Sequence, residues 1–244
     1  MSEIDASIII TNYNYENYIE RAVNSAISQA YDLNLMEVIV VDDGSTDKSL
    51  ELLKKHSKHI NLIHQEHKGL SSAINIAIKN SKGKYIMRLD ADDVLDDKAL
   101  YETVPLLDKN NQIGYVYFDY AIVYEKSDKQ VRISLEDFNL FKMVGTNILI
   151  RKECFEKIGY YEDMYFEEYD LYFRLFKKYK GLYVNKSLFK YYKHGKSLTD
   201  KEKEWKNGLK QLINKYGPAI LGNVKKQFPQ YSFPFDIEWI YEKN

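Results

Sequence analysis

The chain has 244 residues, 45% of them hydrophobic, which is enough for one large domain or two small ones. Its 35 basic and 36 acidic residues leave a net charge of −1, so charge gives no reason to expect a nucleic-acid partner. Cys154 is the single cysteine, which excludes a disulfide framework or a cysteine zinc site within one chain. Without a membrane-length apolar run or signal-peptide features at residues 1–14, we expect a cytoplasmic protein.

Strand and helix patterns alternate through the first hundred residues. Apolar runs predict strands at 7–11, 37–41, 60–64 and 85–90, and helical spacing predicts helices at 19–30, after Ser45 as a cap, and at 70–78. This alternation is typical of an α/β protein with a parallel sheet covered on both faces. Such sheets bind ligands at the carboxyl ends of their strands, where residues 11–13, 42–43 and 90–92 fall.

The second half is less regular. Strands are predicted at 115–124 and 146–150 with one or two more in 182–192, and helices around 168–179 and 205–216. No linker composition marks a domain boundary before about Ser197. The aromatic tail at 228–235 is expected to pack on the body or on a second subunit, and contact with a membrane surface is an alternative.

The segment 83–93 is the most informative, because an apolar strand ends in three carboxylates, Asp90, Asp92 and Asp93. Carboxylates this close repel one another, and a divalent cation with a preference for oxygen ligands, Mg²⁺ or Mn²⁺, would neutralise them. The natural partner of such an ion is a diphosphate. The alternative is that Asp92 or Asp93 caps a helix that starts near Asp96.

Several segments in order resemble the motifs of family 2 glycosyltransferases with the GT-A fold. They are SIIITNYN (7–14), VVDDGSTD (40–47), GLSSAIN (69–75), GKYI (83–86) and DADD (90–93). The resemblance spans residues 5 to 200 and implies a Rossmann-like, mostly parallel central sheet flanked by helices. It implies a glycosyltransferase domain at 1–200, with a nucleotide-binding half (1–93) and an acceptor and catalytic half (94–200). Residues 201–244 then form a helical and aromatic C-terminal extension.

The resemblance also implies an inverting enzyme that uses a nucleoside-diphosphate sugar, with uridine diphosphate (UDP) expected. The carried-over donor-site residues are Thr11, Tyr13, Asp43, Asp90, Ala91 and Gly145. A carboxylate can accept the uracil N–H, and a tyrosine ring offers a stacking face. Asp42 is interpreted as a turn residue beside Gly44. Gly145 resembles the glycine near the donor sugar, although steric need alone would explain a glycine there.

For the metal, the resemblance implies Asp92 as principal ligand of Mn²⁺ or Mg²⁺, Asp90 on the ribose or metal side, and His194, in the segment YYKHGKSL (191–198), as a further ligand. The other histidines have no ligand-like spacing, and we interpret them as surface or structural residues. His194 as a surface residue is the alternative.

The segment FEEYD (166–170) resembles the family's motif whose second acid is the general base. Here Glu168 stands where that motif has Asp, and a shift of one methylene matters for proton transfer. Glu167 and Asp170 are alternative bases, and all three acids would also favour the N-terminus of a helix.

The implied reaction is a single displacement at the anomeric carbon that gives a β-linked product from an α-linked donor. The acceptor is a glycan, lipid-linked or protein-glycan hydroxyl, and a homodimer and peripheral contact with the inner face of the membrane are further expectations. A sugar nucleotidyltransferase is an alternative, but residues 11–15 lack the glycine and lysine of a triphosphate loop. A non-catalytic sugar-nucleotide or glycan-binding module is another, and the glutamate at 168 favours it.

Overall fold

The computed structural model describes residues 3–138, 140–194 and 202–217. Within these ranges the chain forms one nine-stranded sheet with helices packed against it. The strands are β1 (Ala6–Asn12), β2 (Met36–Asp42), β3 (Asn61–His64), β4 (Tyr85–Asp90), β5 (Val94–Leu95), β6 (Ile113–Tyr124), β7 (Lys129–Ile133), β8 (Ile148–Arg151) and β9 (Lys180–Lys193). The helices are α1 (Ile19–Ile27), α2 (Ser49–Lys55), α3 (Leu70–Asn80), α4 (Ala99–Asp108), α5 (Lys152–Ile158), α6 (Glu167–Lys178) and α7 (Glu202–Tyr216), with a 3-10 turn at Leu140–Lys142.

The sheet is mostly parallel, which confirms the expected α/β class. Its order is β3-β2-β1-β4-β8-β6-β9-β5, with β7 beside β6, and only β5, β7 and β8 run against the common direction. Thr11 lies opposite Val41 and Asp90, and Asp42 lies opposite Asn12 and His64. The polar residues that follow β1, β2 and β4 therefore meet at one edge of the sheet.

The strands at the centre read as apolar runs because both of their faces are covered. All seven residues of β1 are buried, with Ile8 and Ile10 in one hydrophobic cluster and Ile9 in the cluster on the other face. Cys154 is buried on α5, as a core residue would be. A core on each side holds the strand ends in fixed positions.

The predicted strands and helices are found, with shifted ends. The stretch 182–192, where one or two strands were expected, belongs to one long strand, β9, and the short strands β5 and β7 were not predicted. Ser45 does not cap α2, because its hydroxyl lies between the Asn12 amide and the Asp42 carboxylate, at 3.0 and 2.6 Å. The aromatic tail and residues 195–201 lie outside the described residues. In the described part of the chain, no helix is long and apolar enough to cross a membrane.

Helix α7 docks on α6 through a buried carboxylate. Asp170 Oδ1 accepts hydrogen bonds from the Tyr216 hydroxyl (2.5 Å) and Lys215 Nζ (2.7 Å), and Oδ2 accepts from Arg174 Nη2 at 2.6 Å. Burial alone would raise the pKa of Asp170, but the donors Lys215, Tyr216 and Arg174 hold it below its usual value. Asp170 is thus an anchor between the two helices.

We expect the variant Tyr216→Phe to lower the free energy of unfolding by about 1.5–3 kcal/mol, because a hydrogen bond to a buried charged group is lost. Urea unfolding followed by circular dichroism measures the change. Tyr101→Phe is the matched control, since Tyr101 is 62% exposed. Equal stability of the two variants would mean that the Tyr216–Asp170 contact does not anchor α7.

Candidate functional site

The acidic turn that follows β4 is tied to the end of β9. Asp92 Oδ2 lies 2.9 Å from Nε2 of His194, and Asp93 Oδ1 accepts a hydrogen bond from the Tyr192 backbone N–H at 2.9 Å. Helix α4 begins only at Ala99, and no side chain caps it. The alternative that Asp92 or Asp93 caps this helix is therefore wrong, and the structure brings Asp92 and His194 together across 102 positions of sequence.

Negative charge in this turn exceeds the local positive charge. Burial, and then the charge of Asp90, raise the pKa of Asp92, while the contact with His194 opposes the rise. Burial and the charges of Asp92 and Asp90 raise the pKa of Asp93 well above its usual value. Oδ2 of Asp93 and Nδ1 of His194 are buried without a hydrogen-bond partner. Buried polar atoms of this kind call for an explanation, and a bound ligand is one.

The side chains of Asp90, Asp92 and His194 are of a type that suits a divalent cation. Two carboxylates and an imidazole are a donor set that Mn²⁺ accepts, and an added positive charge would relieve the repulsion that raises the pKa of Asp92. In the described ranges no three His, Cys, Asp or Glu side chains already converge as a ligand cluster. Asp92 Oδ2 and His194 Nε2 contact each other directly at 2.9 Å, which brings a carboxylate and an imidazole to the same place.

Two residues that the sequence analysis missed hold this turn. Nη2 of Arg21 donates to the Asp92 carbonyl at 2.7 Å, and its guanidinium lies 3.6 Å above the Tyr192 ring. Tyr18 stacks on His194 with the ring centroids 4.6 Å apart. Both come from the region of α1, and no recognisable motif pointed to them. They fix the backbone of Asp92 and the plane of the His194 ring.

Directly after β2, Asp43 organises the loop that leads into α3. Its two carboxylate oxygens accept hydrogen bonds from Gln65 Nε2 (2.5 Å), the Lys68 N–H (2.9 Å) and the Gly69 N–H (2.9 Å), and His67 Nδ1 lies 2.8 Å away. These four contacts engage both oxygens of the carboxylate. In this structure Asp43 therefore orders residues 65–69.

The rings of Tyr13 and His67 beside Asp43 form an exposed aromatic surface. Tyr13 is 40% exposed and stacks on His67, with the ring centroids 4.0 Å apart, while Thr11 is buried between β2 and β4. The sequence analysis interpreted His67 as a surface or structural residue, and in the structure it is exposed and lies next to Tyr13. This aromatic surface can stack against a planar base.

Asp42 has the turn role that was expected from sequence. It is fully buried and accepts hydrogen bonds from Asn12 Nδ2 (2.8 Å), from the Ser45 hydroxyl (2.6 Å) and from the Ser45 N–H (3.2 Å). Gly44 follows with φ +76°, and a Cβ there would lie 2.7 Å from the backbone nitrogen of His67. The turn therefore requires glycine and sets the position of Asp43.

Arg88 on β4 is a third residue that the sequence motifs did not identify. Its Nε donates to Asp90 Oδ1 at 2.8 Å and its Nη1 to Glu167 Oε1 at 3.0 Å. A Cβ on Gly145 would lie 2.8 Å from the guanidinium carbon of Arg88, so the glycine at 145 is needed to make room for this side chain. The signal for Arg88 in the sequence was a charged residue within an otherwise apolar strand.

The three acids at the start of α6 have different surroundings. Glu167 pairs with Arg88, and Asp170 is engaged by Arg174, Lys215 and Tyr216. In the part of the chain that the structure describes, Glu168 has no cationic partner. Burial and the charge of Glu167 raise the pKa of Glu168 well above its usual value, and Arg88 opposes the rise. A carboxylate with a raised pKa is suited to accept a proton near neutral pH.

Ionisation of Glu168 opposes folding, because its pKa is raised in the folded state. This destabilisation is absent at low pH, where Glu168 is protonated in both the folded and the unfolded state. It grows as the pH rises above ~4.3, the pKa of glutamate in the unfolded chain. We expect Glu168→Gln to raise Tm by about 2–4 °C at pH 7.5, equivalent to ~1 kcal/mol, and much less at pH 4.5. Differential scanning calorimetry measures both. Glu51→Gln, at an exposed position on α2, is the control, and a Tm gain independent of pH would contradict this account.

Comparison with known proteins identifies the family of this chain. The family model described as glycosyl transferase family 2 matches residues 7–160. The uncharacterized glycosyltransferase RP339 of Rickettsia prowazekii is 30% identical, over 98% of this chain and 80% of that protein. Chondroitin synthase of Escherichia coli is 39% identical over 46% of this chain, which corresponds to 16% of the synthase.

Solved structures show the same fold at lower sequence identity. Residues 1–349 of S. aureus TarS in complex with UDP-GlcNAc superpose with a TM-score of 0.68, at 20% identity over 80% of this chain and 60% of that one. The mannosyltransferase PcManGT of Pyrobaculum calidifontis, in complex with GDP-Man and Mn²⁺, gives 0.63 at 15% identity, over 98% of this chain and 78% of that one. The mostly parallel sheet, the strand-end motifs and these similarities together show that the chain belongs to glycosyl transferase family 2 and has the GT-A fold.

Proposed function

We propose that the chain is an inverting glycosyltransferase that moves a sugar from a UDP-sugar to a hydroxyl of a glycan, lipid-linked or protein-glycan acceptor. The observation that carries the proposal is Asp92, whose pKa is raised by burial and by the charge of Asp90, beside His194 at the carboxyl edge of the sheet. Family membership supports sugar transfer as the reaction. We propose residues 1–93 as the nucleotide-binding half, 94–200 as the acceptor and catalytic half, and 201–244 as the helical extension.

For the nucleoside, we propose Thr11, Tyr13 and Asp43 as the binding residues. The exposed Tyr13 ring supports stacking on the base, and the contacts of Asp43 support a role in holding the 65–69 loop beside it. Gly145 lies against Arg88 next to Asp90, which supports a position for the donor sugar near this loop. The bound UDP-GlcNAc of the TarS structure favours uridine over guanosine, which the PcManGT structure contains.

For the metal, Asp92, Asp90 and His194 would hold Mn²⁺ or Mg²⁺, which when bound stabilises negative charge on the departing diphosphate. Arg21 holds the Asp92 backbone in place, and Tyr18 fixes the His194 ring. Ala91 lies in the same turn with its methyl group in the core, so the backbone between the two aspartates is fixed as well.

For the base, we propose Glu168. The acceptor oxygen attacks the anomeric carbon, the bond from that carbon to the diphosphate oxygen breaks, and the proton of the acceptor hydroxyl moves to the Glu168 carboxylate. The raised pKa of Glu168 favours this proton transfer. Glu167 and Asp170 are poorer bases, because both are neutralised by cationic partners. One displacement inverts the anomeric centre.

We expect wild-type protein to bind UDP only in the presence of Mn²⁺ or Mg²⁺, and Asp92→Ala to lose this metal-dependent binding while it keeps the fold. Calorimetric titration with UDP, with Mn²⁺ and with EDTA, measures the binding. The matched control is Asp97→Ala, which removes an exposed carboxylate from the same segment. Undiminished metal-dependent binding by Asp92→Ala would remove Asp92 from the metal site. GDP binding in place of UDP would change the proposed donor.

We expect Glu168→Gln to bind UDP as the wild type does, yet to hydrolyse UDP-GlcNAc about 10²–10⁴-fold more slowly with water as acceptor, because glutamine cannot accept the proton. Glu167→Gln and Asp170→Asn are tested in parallel. Normal hydrolysis by Glu168→Gln together with an inactive neighbour would move the base to that neighbour. Binding of UDP-GlcNAc without any wild-type hydrolysis would favour the non-catalytic binding module.

A further inference from the structure

Arg88 lies in a buried position, where a positive charge destabilises the folded state. It lies on the central strand β4, is only 7% exposed, and is flanked by the fully buried Met87 and Leu89. An uncompensated buried charge of this kind destabilises a protein by several kcal/mol. A buried arginine at this position therefore implies acidic partners close by.

The two partners belong to opposite halves of the proposed site. Asp90, at 2.8 Å from Nε, is on the donor and metal side, while Glu167, at 3.0 Å from Nη1, begins helix α6, next to the proposed base. The two carboxylates are 77 positions apart in sequence, and different nitrogens of one planar guanidinium contact them. A guanidinium can do this because its donors form a rigid fork.

The guanidinium of Arg88 has close neighbours from two other parts of the chain. A Cβ at Gly145 would lie 2.8 Å from its carbon and 2.9 Å from Nη1, so the loop before β8 is in close contact with it. The ring of the buried Tyr161 lies 6.0 Å away on the loop before α6. The side chain is thus enclosed between β4, the 145 loop and the start of α6.

We propose that Arg88 is a positioning residue for sugar transfer: it links Asp90 of the donor side to the helix that carries Glu168, and so fixes the distance between the donor and the proton acceptor. This inference rests on the function proposed above. Arg88 contacts neither the donor nor the acceptor in this role. Errors of about 1 Å in the placement of reacting groups can lower a rate by 10²-fold, so a link of this kind has a measurable effect.

A simpler role would be charge neutralisation, in which any cation at position 88 would serve. The two roles predict different results for Arg88→Lys. An ammonium group keeps the charge but has no planar fork, so it cannot hold Asp90 and Glu167 in the same relation. Neutralisation predicts normal turnover for this variant, and positioning predicts a loss.

The experiment compares wild type, Arg88→Lys and the control Arg132→Met in Tm, UDP affinity with Mn²⁺, and kcat for hydrolysis of UDP-GlcNAc. Arg132 pairs with the buried Asp119 at 2.6 Å, outside the proposed site. We expect Arg88→Lys to remain folded, to bind UDP within about threefold of wild type, and to lose about 10–100-fold in kcat. Arg132→Met is expected to lower Tm without a change in kcat.

If Arg88→Lys does not fold, the double variant Arg88→Met/Glu167→Gln replaces it, since it removes the buried cation and one of its two partners together. There we expect Tm to recover relative to Arg88→Met while kcat stays at least about 10-fold below that of Glu167→Gln alone. Wild-type kcat in Arg88→Lys, or equal kcat in the double variant and Glu167→Gln, would overturn the positioning role. A wild-type protein that neither binds UDP nor hydrolyses UDP-GlcNAc would overturn the proposed function first, and this inference with it.

Discussion

Repulsion between carboxylates at one edge of the sheet is the constraint on which this structure depends. The parallel register of β1, β2 and β4 brings Asp42, Asp43 and Asp90 to the same edge, and the turn after β4 adds Asp92 and Asp93. The folded chain has to balance this charge in a partly buried setting, where each uncompensated carboxylate raises the pKa of its neighbours. The contacts of the surrounding residues show how this negative charge is balanced.

The acids divide into those that the fold neutralises and those that it leaves unbalanced. Asp42 and Asp43 accept hydrogen bonds from the turns that they organise. Asp170 is held by Arg174 of its own helix and by Lys215 and Tyr216 of α7. Asp92 and Glu168 keep raised pKa values, because burial and a neighbouring acid act on both. We propose that these two perform the chemistry, since unbalanced charge can be compensated by an ion or a proton that arrives with the substrates.

Sequence patterns predicted the sheet, its parallel half and the strand-end acids, because apolar runs and helical periodicity are local properties. The contacts that support the site are not local. Arg88 meets Glu167 across 79 positions, and Arg21 meets the Asp92 backbone across 71, so no spacing rule identifies them. The proximity of His194 to Asp92 was expected only through the family resemblance. Strand β5 has only two residues, and three of the five residues of β7 are polar or charged, so neither strand gives an apolar signal. Ser45 looked like a helix cap from its position, yet the buried Asp42 beside it competes for its hydroxyl.

We propose that the acidic turn binds a cation together with a nucleoside diphosphate. A crystal structure of the protein with UDP and Mn²⁺ tests this proposal, because anomalous diffraction data locate the manganese. We expect one manganese peak about 2 Å from a carboxylate oxygen of Asp92, in contact with the diphosphate and within reach of His194. UDP bound with no manganese at Asp92, or manganese bound at other residues, would contradict the account.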